Sequence, residues 1–483
     1  MKKSGDVDRE KSIRLTEGKP GRQIFYFALP LMLGNMFQQF YTFADTVIVG
    51  KRLGMAALAA LGATEWLTFL MFSAVQGMTG GFGVLIARYF GGQDFGKMQR
   101  AMRNGGILCI ALAFLFLVAG ELSVEASLQL IGTPEEAREM AKCYLRWLYA
   151  GIPVTFAYHM GSAVLRAWGD SRTPFLAIAI SGAGNVALDF CFVVIWNWGI
   201  AGAAFATVLS QLLSAGLCLN AVVRRQKETR ERYAERRDCD APETVCGQTE
   251  NVCGGAMWGR MDVSMAKEQL LLGIPLALQG VITALGGLVV QSVVNSFGVI
   301  FVAGYTAANK LYGLLEMAAS SYGHAVVNFV SQNLGAKRFD RIRRGMGSAA
   351  ILGCLTALLM SAIMLFAGKF ILLCFLSGEQ EMVEKSLEIG RQFLTVLSVF
   401  FPFLYLLYIL RAGIQGLGNG VIPMASSAVQ LAMRIACALL LTRRTGYAGL
   451  FWGEVFAWLG ADALLLICLL KNRAFGGRFF IKT

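Results

Sequence analysis

The sequence predicts an all-α integral membrane protein with twelve transmembrane helices in two six-helix bundles. Of its 483 residues, 56% are hydrophobic and only 16% are charged, whereas about a quarter of the residues in an ordinary soluble protein are charged. Apolar stretches of about 20 residues, the length that spans a bilayer core, recur throughout the chain. The second half of the chain also repeats sequence landmarks of the first half.

The apolar stretches form two blocks of six. The predicted spans are residues 24–47, 56–80, 102–120, 140–160, 174–195, 200–222, 268–295, 302–330, 347–367, 390–410, 421–441 and 447–470. They predict a tail over 1–23, a lobe over 24–223, a linker over 224–267, a second lobe over 268–470 and a tail over 471–483. The first span is too long for a signal peptide and lacks a small-residue cleavage site after it, so we expect the N-terminus to stay attached.

Lysine and arginine residues concentrate in alternate connections between the spans. One set of connections holds 32 of them and the other holds 10. The larger set comprises both tails, the linker, residues 88–103 and 337–344, and Arg166, Arg172 and Arg411. By the positive-inside rule, both termini and the linker are predicted to be cytoplasmic. The net charge of +13 therefore reflects the orientation of the chain in the membrane, and we expect no nucleic-acid partner.

An internal repeat relates the two halves of the chain. Each half has six spans, so both repeats are predicted to cross the membrane in the same orientation. The matched pairs are Pro30 with Pro275, Gly91 with Gly335, Phe95 with Phe339, Gly169 with Gly418, Pro174 with Pro423, and Gly199 with Gly446.

The eleven cysteines are scattered, most of them inside predicted helices, and they suggest no disulfide framework. Cys239, Cys246 and Cys253 share the linker at spacings of seven residues. Metal-binding cysteines usually come in closer pairs, often with histidine alongside. We therefore expect a solvated loop there and no metal site.

Carboxylates inside the predicted spans are the leading functional candidates, because an ionisable group at mid-bilayer costs at least about 2.5–3.5 kcal/mol. Gln38, Tyr41 and Asp45 share one face of the first helix at i, i+3 and i+7. Asn185 and Asp189 share a face of the fifth helix at i and i+4. If the two faces converge, Asp45 and Asp189 can bind and release a proton or Na⁺. The alternative is that these polar groups only hold helices together.

Four motifs carry a family resemblance. They are Q-x-x-Y-x-x-x-D at 38–45, LRAWGDSRTP at 165–174, N-x-x-x-D at 185–189 and GIAGAAFAT at 199–207. In this order and spacing they resemble the multidrug and toxic compound extrusion (MATE) family, and the repeated landmarks extend the resemblance over nearly the whole chain.

The resemblance implies a cation site in the N-terminal lobe. Its residues, which match the site of the family's prokaryotic DinF-like branch, are Asp45, Asn185, Asp189 and Thr207. The second half departs from this pattern, with Arg434, Ala438 and Glu454 at the repeat positions of Asn185, Asp189 and Thr207. Coupling is therefore predicted to lie in the N-terminal lobe.

Other polar residues and two prolines complete the candidate residues. Candidates for contact with the substrate or its cavity are Gln38, Tyr41, Arg434 and Glu316. Alternatively, the charges of the second half pair with one another; they are Lys310, Glu316, Arg434 and Glu454. Pro30 and Pro275 lack an amide donor and kink their helices, as hinges or as static bends.

By this resemblance we expect a secondary active multidrug efflux antiporter, which exports amphipathic or cationic compounds in exchange for H⁺ or Na⁺ by alternating access. A flippase for a lipid-linked precursor is the alternative, although a flippase is expected to have a strongly basic cavity, which the N-terminal acidic pair opposes. We expect no enzymatic activity, because no His, Asp or Ser cluster marks a membrane face. We also expect no cofactor beyond the coupling ion, contact with membrane lipid, a monomer, and a location in the bacterial inner (plasma) membrane.

Overall fold

The computed structural model describes residues 15–237, 260–376 and 379–474, and these are helical almost throughout. The helices, numbered here in chain order, are α1 (Pro20–Leu53), α2 (Met55–Gly91), α3 (Phe95–Leu130), α4 (Glu135–Ala150), α5 (Ile152–Ala167), α6 (Arg172–Asp189), α7 (Gly199–Arg237), α8 (Val263–Asn295), α9 (Val299–Gly335), α10 (Phe339–Ala362), α11 (Gly368–Leu373), α12 (Gln380–Gly416), α13 (Val421–Ala436), α14 (Thr442–Thr445) and α15 (Ala448–Ala474). Cys239, Cys246 and Cys253 lie outside the described residues, with much of the predicted linker.

Every predicted span lies inside one helix, or inside two consecutive helical segments, with at most one residue outside. Within the described ranges, nine helical segments are long and apolar enough to cross a membrane. The remaining three spans fall on α1, on α9, and on α4 followed by α5. Between α4 and α5 the chain breaks at Gly151, because Pro153 in the first turn of α5 supplies no backbone N–H.

Several helices extend well beyond the apolar stretch that identified them. α2, α9 and α12 each contain 37 residues, which at 1.5 Å per residue is about 55 Å. A bilayer core is only about 30 Å thick. The ends of these helices therefore carry polar residues that hydropathy does not detect, so the predicted spans are shorter than the helices.

The chain forms two compact units. The first comprises Leu33–Ala277 and Ser331–Lys337, together with the chain up to Thr16. The second comprises Glu17–Met32, Leu278–Val330 and Arg338–Thr483. Each unit thus includes short segments from the other half of the sequence, whereas the lobe boundaries predicted from the repeat stay a prediction.

Close backbone contacts hold α2 against the end of α9 inside the first unit. A Cβ atom on Gly91 would overlap the backbone of Gln332, and one on Gly335 would overlap the carbonyl oxygen of Arg88. Gln332 also donates from Nε2 to the carbonyl oxygen of Ala167 at 2.8 Å. Gly91 and Gly335 are corresponding positions of the internal repeat, and both lie at this contact.

The repeat is also visible in the loops that precede α6 and α13. Gly169 and Gly418 both adopt the left-handed region, with φ of 82° and 91°, which glycine enters without steric cost. The next residues, Asp170 and Asn419, each accept a hydrogen bond at 3.0 Å from the backbone N–H three residues later. Both side chains thereby satisfy amides at the start of the following helix.

Replacement of Gly91 by alanine is expected to destabilise the first unit by about 1–3 kcal/mol, because the added methyl group overpacks a backbone contact. The measurement is the unfolding temperature of the purified protein in detergent. Gly106→Ala on α3 is the matched control, since a Cβ there meets no atom within 4 Å. Equal unfolding temperatures for the two variants would contradict this packing.

Candidate functional site

Helices α1, α6 and α7 of the first unit carry the residues of the predicted cation site. Asp170 ties α6 to α7, because its buried carboxylate accepts a hydrogen bond from Arg225 Nη2 at 2.6 Å. Asp189 is the last residue of α6, directly before the wider helical turn Phe190–Ile195. The predicted residues on these helices are Gln38, Tyr41, Asp45, Asn185, Asp189 and Thr207.

The carboxyl groups of Asp45 and Asp189 lie within hydrogen-bonding range of each other. Asp45 is 6% exposed and Asp189 is 0% exposed. No donor elsewhere in the described part of the chain reaches Asp45 Oδ1 or either carboxylate oxygen of Asp189. An ionised carboxylate only accepts hydrogen bonds, so the two groups can bond to each other only when one is protonated. The pair can therefore share a proton, or its oxygens can bind a cation.

Asn185 adds an amide group to the same face of α6, one turn before Asp189. Its side chain is 2% exposed, and Nδ2 has no acceptor among the described residues. The Asn185 amide can donate to an ionised carboxylate through Nδ2 or offer its oxygen to a cation. Both kinds of coupling ion remain compatible with this arrangement.

Thr207 lies close to Tyr144, a residue near the acidic pair that the sequence did not predict. Thr207 Oγ1 donates to the carbonyl oxygen of Ala203 at 3.1 Å. The side chain of Tyr144 on α4 lies close to Thr207 and within electrostatic range of both carboxyl groups. No sequence pattern distinguishes Tyr144 from Tyr149 and Tyr158, which share the predicted span 140–160.

Tyr41 and Gln38 extend the polar face of α1 away from the acidic pair. The ring of Tyr41 packs so closely against Gly182 of α6 that a Cβ atom at Gly182 would overlap it. The side chain of Gln38 lies close to Tyr41, which is within electrostatic range of Asp45. The predicted convergence of the two polar faces is thus present in the structure.

The charges of the second unit are largely engaged with one another. Arg434 Nη2 and Glu454 Oε2 form an ion pair at 2.7 Å. Glu316 Oε1 accepts a hydrogen bond from the Tyr408 hydroxyl at 2.9 Å and lies within electrostatic range of Arg434. Lys310 is exposed. The pairing alternative therefore describes Arg434 and Glu454, and a contact of Glu316 or Arg434 with substrate stays a prediction.

Arg411 was wrongly assigned to a connection. It is 6% exposed inside α12, where Nε donates to Ser426 Oγ at 2.8 Å and Nη2 donates to Gln430 Oε1 at 2.6 Å. The error arose because the apolar stretch ends at residue 410 while the helix continues to Gly416. Asp462, 3% exposed on α15, was not singled out although it lies within a predicted span.

The two hinge candidates lie inside continuous helices. Pro30 is an internal residue of α1, and Pro275 is an internal residue of α8. Each removes one backbone hydrogen bond from its helix without ending it. Movement at either position stays a prediction.

Comparisons with known proteins agree on one family. The MatE family model matches residues 30–191 and 275–440. Among curated relatives, probable multidrug resistance protein YpnP of Bacillus subtilis is 28% identical over 454 residues, covering 94% of this chain and 92% of the relative. Probable multidrug resistance protein NorM of Thermotoga maritima is 22% identical over 460 residues, covering 94% and 92%.

Solved structures share the fold. A MOP superfamily transporter from Pyrococcus furiosus aligns with a TM-score of 0.81 at 21% identity, over 96% of this chain and 98% of that one. An outward-facing multidrug resistance MATE family transporter aligns with a TM-score of 0.80 at 20% identity, over 98% and 99%.

The helical architecture and the membrane-embedded polar site define a multi-pass membrane transporter. The twelve-helix, two-bundle fold class predicted from the sequence is confirmed by these comparisons. Because the family model matches most of the chain, the protein belongs to the multidrug and toxic compound extrusion (MATE) family.

Asp189→Asn is expected to raise the unfolding temperature, because the asparagine amide can donate to Asp45 while one buried charge is removed. A hydrogen bond to a charged group contributes about 1.5–3 kcal/mol. The gain should grow from pH 5 to pH 9, because the folded parent must hold a proton on the buried pair that its unfolded chain releases, whereas the variant holds no such proton. Thermal unfolding across this pH range is the measurement. Glu139→Gln, whose side chain is 82% exposed, is the control, and a lower unfolding temperature for Asp189→Asn at pH 9 would contradict the geometry.

Glu454→Gln is expected to destabilise the second unit by about 3–5 kcal/mol, because it leaves the buried Arg434 without its counter-charge. The double variant Arg434→Met, Glu454→Leu should recover most of this loss, since the apolar pair leaves no unpaired charge. Unfolding temperatures of both variants and the parent provide the measurement. A single variant as stable as the parent would show that the ion pair is not structural.

Proposed function

We propose that this chain is a secondary active multidrug efflux antiporter, which exports amphipathic or cationic compounds in exchange for H⁺ or Na⁺ by alternating access. The observation that carries the proposal is the buried Asp45–Asp189 pair, in which Asp45 Oδ1 and both Asp189 oxygens lack donors among the described residues. Relatives named as probable multidrug resistance proteins support the substrate class.

Coupling requires that the cation and the exported compound each bind the two conformations with different affinities. A proton or Na⁺ at the acidic pair removes the repulsion between the two carboxylates. That removal favours the close approach of α1 to α6, where the Tyr41 ring contacts Gly182. Loss of the cation favours separation of the same helices, so occupancy of the site can bias the packing of α1.

The choice between H⁺ and Na⁺ depends on the neighbours of the pair. A proton needs only the two carboxyl groups, whereas Na⁺ needs additional oxygen ligands. The Asn185 amide oxygen and the Thr207 hydroxyl oxygen are the candidates for that role, and the Tyr144 side chain lies close to Thr207. Thr207→Val is therefore expected to weaken Na⁺-driven transport and to leave H⁺-driven transport largely intact.

A location in the plasma membrane with both termini cytoplasmic belongs to the same proposal. Its support is the unequal distribution of lysine and arginine between alternate connections.

Reconstituted protein is expected to export a fluorescent cationic dye from liposomes when a pH or Na⁺ gradient is imposed. Asp189→Asn and Asp45→Asn should abolish the gradient-driven part, because either change removes the paired carboxylates. Glu139→Gln, on the exposed surface of α4, is the matched control and should transport as the parent does. Gradients of pH and Na⁺ are applied separately to name the ion. Dye transport that survives Asp189→Asn would contradict the mechanism, and no gradient-driven transport of any dye would favour the flippase alternative.

A further inference from the structure

Asp462 is a buried carboxyl group in the second unit that no donor in the described part of the chain contacts. It lies on α15, is 3% exposed, and neither carboxylate oxygen has a hydrogen-bond partner within the described residues. Trp458, one turn earlier on the same helix, is 0% exposed, and its indole Nε1 also lacks an acceptor there. An ionised carboxylate in such a position carries a large desolvation cost. The environment of Asp462 in this conformation therefore suits a neutral acid.

Arg411 on α12 is a buried cation close to Asp462 without forming an ion pair with it. Its guanidinium donates to the neutral oxygens of Ser426 and Gln430 on α13. Arg411 and Asp462 nevertheless interact electrostatically. A neutral acid and a cation held by neutral acceptors form one stable arrangement. A direct ion pair between the ionised carboxylate and the guanidinium would be a second stable arrangement. The two arrangements differ by one proton on Asp462.

The other titratable groups around Trp458 and Asp462 are already engaged. Arg434 of α13 is paired with Glu454 of α15. On α9, Tyr312 stacks on Trp458. Glu316 of the same helix accepts the hydrogen bond from Tyr408 of α12. Arg411 is accordingly the charge that acts on Asp462.

The first unit shows that the fold does not need a carboxyl group at the position of Asp462. In the register of the repeat, Ser162 occupies the position of Arg411 and Ala215 occupies the position of Asp462. Both are buried, at 0% and 2% exposed. The guanidinium of Arg166, one turn after Ser162, donates to Ser162 Oγ, so the first unit also places a cation there. A carboxyl group has no counterpart at Ala215, which opposes a purely structural reason for Asp462.

We propose that Asp462 is a proton-binding group of the second unit, separate from the acidic pair of the first, and that Arg411 stabilises its ionised form. The carboxyl group holds its proton in the conformation described here. When helix movement lets the guanidinium pair with the carboxylate, the O–H bond breaks and the proton passes to water. A role of this proton in export rests on the proposed function, whereas proton binding itself does not.

Infrared difference spectroscopy of the detergent-solubilised protein tests the proton directly. The parent should show a carbonyl band of a protonated carboxylic acid that is missing in Asp462→Asn. Arg411→Gln should keep that band to higher pH than the parent does, because the ionised form has lost its counter-charge. Asp340→Asn, which alters an exposed acid of the same unit, is the matched control and should leave the band unchanged. Absence of any band specific to Asp462 across the pH range would overturn the proposal.

Proton release on binding of a transported dye, followed with a pH indicator in weakly buffered solution, tests the link to export. Asp462→Asn should release one proton fewer per dye than the parent. An unchanged count would overturn the role in export, even where Asp189→Asn still abolishes dye transport. If Asp189→Asn instead leaves transport intact while the Asp462 band persists, the proposed coupling site fails and the Asp462 proton stands. Asp462→Ala, which installs the residue found at the repeat position in the first unit, replaces Asp462→Asn should that variant be unstable.

Discussion

Burying a charged side chain inside a membrane is costly unless an opposite charge or a hydrogen-bond donor compensates it. This cost determines how the polar side chains of the protein are placed. Asp170 is satisfied by backbone amides and by Arg225, and it fixes the start of α6. Asp45 and Asp189 face each other without such donors. The compensated carboxylate serves the architecture. The uncompensated pair is, in the proposed mechanism, the place where a cation binds, so the same residue type would have different roles at the two ends of α6.

Duplication preserved the backbone of the two halves and not their charges. The positive φ at Gly169 recurs at Gly418, and a wider helical turn follows both α6 and α13. The charged groups have moved, however, because Arg434 stands where the first half has Asn185. Each half needs the same turns and helix ends in order to fold, so the backbone geometry is alike in both. The buried charged side chains of the two halves therefore differ at positions where their backbones correspond.

The fold was largely predictable from the sequence, because about 20 consecutive apolar residues leave few alternatives to a membrane helix. The convergence of Asp45 and Asp189 was also predictable, since helical periodicity placed each on a defined polar face. The place of Tyr144 beside the pair was not, because a tyrosine in an apolar span carries no signal that distinguishes a position near a polar site from ordinary packing. Arg411 was misplaced for a related reason, since hydropathy marks where apolar residues end and not where the helix ends.

The close contact between Gly91 of α2 and the end of α9 also constrains how the protein is made. Gln332 is bonded to Ala167, 165 residues earlier, and Asn333 is bonded to Leu15, 318 residues earlier. A ribosome releases the first six membrane helices long before it has synthesised Ser331–Lys337. Until then the emerging first unit lacks the donors that satisfy those two carbonyl groups. The final packing of the first unit therefore requires a segment that is translated after most of that unit.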